Sequence, residues 1–128
     1  MHNATGRTVV HLIEPQQLFV PALLDVFADA GYSVEDVAAG VNPRTMLDSQ
    51  PEIVFMDTDF IDEPLENVRL VHVLCPHADI VVYSTARTEA IARAFTAAGA
   101  LRVFDKSQTR ESIVDGLRAL QTERHRQT

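Results

Sequence analysis

The chain has 128 residues, 46% of them hydrophobic and 23% charged, the size and composition of one ordinary globular domain, 1–128, with a single sizeable core. Eighteen acidic against 11 basic side chains leave a net charge of −7, so this domain is not expected to contact nucleic acid directly, which would need a basic patch. No apolar run is long enough to cross a bilayer, and the single cysteine, Cys75, cannot close an internal disulfide, so a reducing cytoplasm is the expected compartment.

Thr8 to Ile13 is a short apolar run broken by Glu14-Pro15 and reads as strand one with a carboxylate at its end. His11 interrupts it and is expected to be a buried or edge-facing histidine, because no second ligand lies at a metal-binding spacing. From Leu18, the residues Phe19, Ala22, Leu23, Val26, Phe27 and Ala30 recur at three- and four-residue steps up to Gly31, which predicts helix one with Pro21 near its start. Tyr32 to Val37 is strand two. Asn42-Pro43 offers an N-cap followed by proline at the first helical position, so helix two runs from there to about Ser49.

Ile53 to Asp57 is an unbroken apolar strand that ends on a carboxylate, with Asp59 just beyond. The carboxyl ends of parallel strands open onto the crevice where ligands bind, which places Asp57 for chemistry. Residues 60–64 read as loop, and Leu65 to Leu74 as helix three, stopped by Pro76. His72, Cys75 and His77 mimic a metal spacing, but Pro76 and a helix end fall inside it and a fourth ligand is missing. Ile80 to Ser84 is a β-branched fourth strand, again with a polar terminus. Thr88 caps helix four, whose Ile91, Ala94, Phe95 and Ala98 form one apolar face up to Gly99. Leu101 to Asp105 is strand five and leads into Lys106. Thr109 or Ser107 then caps helix five, with Ile113, Val114, Leu117 and Leu120 facing inward.

Five strands alternating with five helices imply right-handed crossovers and a parallel α/β sheet covered on both faces. Glu14, Asp57, Ser84 and Lys106 then meet at the carboxyl edge of one sheet. Such a set can hold a divalent cation between oxygens and receive the oxygens of a phosphoryl group on Asp57.

This constellation resembles the receiver domain of two-component response regulators over nearly the whole chain. Ala98-Gly99-Ala100 is similar to the family's Ala-Gly-Ala element, with Ser84 standing 15 residues before Gly99 and Lys106 seven after it. Leu18 and Ala30-Gly31-Tyr32 fit the same pattern. The resemblance implies a flavodoxin-like, doubly wound five-stranded parallel sheet of order 2-1-3-4-5 with five helices. It implies a non-enzymatic phosphorelay domain in which Asp57 accepts a phosphoryl group from a histidine kinase or phosphotransfer protein. Lys106 would pair with Asp57 or its phosphoryl group, and Ser84 would hydrogen-bond the phosphoryl group. Glu14, Asp57 and the main-chain carbonyl of Asp59 would hold Mg²⁺. Helix four, strand five and helix five would form a surface for homodimerisation or partner binding.

Pro15 departs from the family because it stands where a second metal-coordinating aspartate is usual, so the resemblance implies a weakened Mg²⁺ site. Val103 replaces the usual switching aromatic, Phe60-Ile61 a Met-Pro pair, and Thr85 an alanine. These departures support an alternative, a pseudo-receiver that keeps the fold and works as a protein-interaction module without phosphorylation. A nucleotide or flavin carrier would need a Gly-rich phosphate loop, which the chain lacks.

Overall fold

A computed structural model describes residues 8–85 and 88–126. Its strands are β1 (Val9–Ile13), β2 (Ser33–Ala38), β3 (Ile53–Asp57), β4 (Asp79–Ser84) and β5 (Arg102–Asp105). They form one parallel sheet in the order β2-β1-β3-β4-β5, the flavodoxin-like order expected. The helices are α1 (Val20–Asp29), α2 (Pro43–Ser49), α3 (Pro64–Leu74), α4 (Glu89–Ala98) and α5 (Arg110–Arg126).

Two cores flank the sheet, and the alternation along β3 shows how they are divided. Ile53 and Phe55 point to the side of α1 and α5, where they join Val10, Leu12, Phe27 and Leu117. Val54 and Met56 point to the side of α2, α3 and α4, beside Ile13, Met46, Val68 and Phe95. Every residue of β3 is buried, as a central parallel strand covered on both faces requires. Phe27 meets Tyr32 and Phe55 edge-on at 5.9 and 5.0 Å, and the Tyr32 hydroxyl donates to the Leu117 carbonyl, fastening the end of α1 to α5.

The caps are where the sequence puts them. The Asn42 side chain accepts from the Thr45 N–H at 3.2 Å, Thr88 from Ile91 at 3.2 Å and Thr109 from Ser112 at 3.1 Å, so Thr109 and not Ser107 starts α5. Helix one departs from expectation at its start. Residues 17–19 form a 3-10 turn, α1 begins at Val20 with Pro21 in its first turn, and Leu18 is 84% exposed. Ile91 is also exposed, leaving Phe95 and Ala98 as the buried residues of α4. Gly116, in mid-helix on α5, marks a close approach, because a Cβ there would lie 2.6 Å from the Phe104 ring.

His72, Cys75 and His77 are accounted for at the first two positions by packing. The His72 ring fills the space where a Cβ on Gly99 would stand, and Cys75 is buried with Sγ toward the Met46 carbonyl. His11 is buried, with Nδ1 4.0 Å from the Asp36 carboxylate. Burial lowers its pKa against the attraction of Asp36 and Glu35. A depressed histidine pKa contributes stability that is present above the unfolded value of about 6.5 and lost as pH falls below it. The wild type is therefore expected to lose more stability than His11→Gln between pH 7 and pH 5.5, a comparison made by urea unfolding at each pH. Equal losses would mean that His11 is solvated when charged.

Candidate functional site

The carboxyl edge of the sheet carries an open crevice of about 310 Å³, lined by Glu14, Phe19, Ala22, Leu23, Asp57, Tyr83 and Lys106. The two-residue period of the strands selects this lining. On β3, Asp57 continues the Ile53–Phe55 side, facing α1 and α5. On β1, Glu14 continues the side of Val10 and Leu12, and on β4, Tyr83 continues that of Val81. Ser84 has the opposite parity, that of Ile80 and Val82.

Lys106 is delivered from β5 by a turn that extends the ladder, its N–H donating to the Ser84 carbonyl at 2.9 Å. Its Nζ lies 2.7 Å from Asp57 Oδ2 and 2.9 Å from Asp59 Oδ2. The Asp57 side chain is 1% exposed, and its Oδ1 accepts from the Asp59 N–H at 3.2 Å. Burial opposes the charge on Lys106, but the hydrogen bonds and charges of Asp57 and Asp59 prevail and raise its pKa. The ammonium is therefore the fixed counter-charge of the crevice.

Asp59 takes part through its side chain, where the family resemblance implies a role only for its main-chain carbonyl. Its side-chain Oδ1 accepts from the Thr85 N–H at 3.0 Å, the Thr85 hydroxyl at 3.3 Å and the Ser84 hydroxyl at 3.3 Å. Burial would raise its pKa, and the Thr85 amide together with Lys106 lowers it on balance. Ser84 is thus directed to Asp59 in this state, and Thr85 anchors the carboxylate. The only hint in the sequence is the Asp-x-Asp spacing after the strand.

Glu14 is buried, and its Oε2 accepts from the Gln16 N–H at 2.9 Å while Oε1 has no hydrogen-bonding partner among the described residues. Burial, reinforced by the Asp57 carboxyl group beside it, pushes the Glu14 carboxyl up to about 7, against the pull of the Gln16 amide and Lys106. An unpartnered buried carboxyl oxygen next to a second carboxylate suits either a shared proton or a hard cation. Two carboxylates are within what Mg²⁺ needs when phosphate oxygens and water complete its shell, so these residues fit a cation. Pro15 adds no side-chain oxygen, and among the described residues no three His, Cys, Asp or Glu side chains gather to hold one.

Neither a protein-family model nor a curated protein matches the sequence. Solved structures do. A CheY-like response regulator receiver domain protein from Methanospirillum hungatei is 14% identical, with a TM-score of 0.78 over 95% of this chain and 99% of that one. The CheX-CheY-BeF3-Mg complex from Borrelia burgdorferi is 16% identical, with a TM-score of 0.75 over 93% of this chain and 94% of that one. A response regulator protein from Burkholderia pseudomallei with a phosphorylated aspartic acid, calcium ion and citrate is 21% identical, with a TM-score of 0.70 over 91% of this chain and 72% of that one. At these identities the likeness shows the fold, which is that of CheY-like response regulator receiver domains.

Proposed function

We propose that this chain is a response-regulator receiver domain in a cytoplasmic two-component phosphorelay and that Asp57 accepts the phosphoryl group. The observation that carries the reading is Lys106 Nζ at 2.7 Å from a buried strand-end carboxylate that borders an open crevice. In the transfer, an Asp57 Oδ bonds to phosphorus as the bond from phosphorus to the donor's histidine nitrogen breaks. The nitrogen keeps the electron pair, and Asp57 becomes an acyl phosphate. Lys106 stays beside the reacting carboxyl and meets a phosphoryl oxygen, while Ser84 exchanges Asp59 for another. Glu14, Asp57 and the Asp59 carbonyl would hold Mg²⁺, which when bound offsets the charge on the phosphoryl oxygens. The donor is a histidine kinase or phosphotransfer protein.

The test is intact mass after incubation with acetyl phosphate and Mg²⁺. One labile phosphoryl group is expected on the wild type and on Asp59→Asn, and none on Asp57→Asn. Uptake by Asp57→Asn at the wild-type rate would place the site elsewhere.

Pro15 favours a second reading, a pseudo-receiver acting by protein contact alone, and it stands if the wild type gains no mass. Both readings use the surface of α4, β5 and α5, where Ala90, Ala97, Ile91 and Leu101 are exposed and Val103 is half-buried. Val103→Glu is expected to weaken homodimerisation or partner binding by about tenfold or more, on the scale of a charge placed in an apolar contact. A wild type that stays monomeric at all concentrations in light scattering, with partner capture unchanged by the substitution, would remove this surface.

A further inference from the structure

Lys106 is enclosed by more than its two carboxylates. The centre of the Tyr83 ring lies 5.1 Å from Nζ and that of Phe60 5.5 Å, both within the roughly 6 Å over which a ring face attracts a cation. The two rings are held differently. Tyr83 stands in β4 between Asp57 of β3 and Phe104 of β5, and its ring packs on Phe55 at 5.4 Å. Phe60 belongs to the turn after β3 and is 56% exposed, so burial alone does not account for a phenyl ring lying against an ammonium.

We propose that Phe60 and Tyr83 clamp Lys106, Tyr83 as the fixed side and Phe60 as the adjustable one, and so hold its ammonium on the Asp57–Asp59 pair in the attitude that receives a phosphoryl oxygen. The holding contact stands on the geometry alone; its kinetic consequence rests on the phosphoacceptor reading. An ammonium has three N–H donors, and the two carboxylates engage it at 2.7 and 2.9 Å. A third carboxylate would bind the remaining donor in a fixed direction. A ring face attracts the charge without an acceptor lone pair, so the ammonium is retained while its donors can still turn toward an arriving oxygen. Lysine needs such restraint because its four-carbon stem is flexible and its head strongly hydrated. Phe60 and Tyr83 are positioning residues in this arrangement.

Phe60→Leu removes the ring at an exposed position, and Phe60→Tyr keeps it. Without any phosphodonor, hydrogen exchange of the Lys106 ammonium, followed by ¹⁵N-edited NMR, is expected to quicken about fivefold in Phe60→Leu, the scale of one cation–π contact. In Phe60→Tyr it should stay within about twofold of wild type, because the ring remains. With acetyl phosphate, Phe60→Leu should lower the maximal rate of phosphoryl uptake about fivefold while the half-saturating donor concentration holds, and Phe60→Tyr should recover it. Ammonium exchange in Phe60→Leu equal to wild type overturns the clamp, whatever phosphorylation does. Faster exchange in Phe60→Leu, together with no phosphoryl uptake by the wild type, supports the clamp and sinks the phosphoacceptor reading instead.

Discussion

Lys106→Met is expected to destabilise the domain by about 3 kcal/mol, the low end of the range for removing one partner of a buried ion pair. The low end applies because Lys106 and Asp59 retain side-chain exposures of 18% and 16%, so water screens part of the effect. Methionine keeps most of the apolar stem, which separates the loss of charge from the loss of packing. What remains is Asp57, fully enclosed, next to Asp59 and Glu14 with no cation among them. Without the ammonium, Asp57 and its neighbouring carboxylates relieve their repulsion by binding protons, so the deficit should shrink as pH is lowered from 8 to 5. Adding Asp57→Asn to Lys106→Met removes the stranded charge and should recover more than half of the lost stability. Urea midpoints of the four proteins in this cycle decide the matter. A Lys106→Met protein within about 0.5 kcal/mol of wild type would mean that the pair is as weak as an exposed one.

Pro15→Asp is expected to tighten Mg²⁺ binding at least tenfold, the scale on which even groups behind the metal ligands act. Mg²⁺ takes near-octahedral oxygen coordination and is usually held by one or two carboxylates together with phosphate oxygens and water. The present crevice offers Glu14 and Asp57, and Lys106 already neutralises Asp57. Pro15 is half-buried in the turn between Glu14 and Gln16, whose N–H holds Glu14 Oε2 at 2.9 Å. An aspartate there adds a third carboxylate at the crevice and shifts the competition between metal and ammonium toward the metal. Phosphoryl uptake from acetyl phosphate should quicken with it. The measurement is a Mg²⁺ titration of both proteins followed by phosphodonor kinetics. Equal affinities would mean that Glu14 already serves in place of the missing aspartate, or that the turn holds position 15 away from the crevice.

Much of the site is legible in the sequence because strand ends are local features. An apolar run that stops on a charged residue places that residue at a sheet edge, and alternation of strands with helices makes those edges coincide. Asp57, Glu14 and Lys106 follow from that alone. The two-residue period of the strands also separates Tyr83 from Ser84. Tyr83 shares the face of Asp57 while Ser84 does not, as the pairing of Val81 with one core and Val82 with the other shows.

By itself, then, the sequence determined the element order, the caps at Asn42 and Thr88, and the residues brought to the carboxyl edge; the strand order is what the family resemblance implies, and Thr109 is selected over Ser107 only by its bond to Ser112. The element order, those two caps and the strand-end residues depend on short-range patterning or on a topology with few alternatives. Only the tertiary structure decided that Lys106 bridges Asp57 and Asp59, that Ser84 and Thr85 serve the Asp59 side chain, and that Phe60 and Tyr83 flank the ammonium. It also decided that Leu18 and Ile91, apolar and correctly spaced, face outward. Periodicity specifies a stripe along a helix, but which residues of the stripe are covered depends on where the helix starts and what packs against it. Side-chain partners at the crevice are settled by differences of a few tenths of an ångström in contacts between residues far apart in the chain, with Lys106 49 positions from Asp57, and no local pattern encodes those.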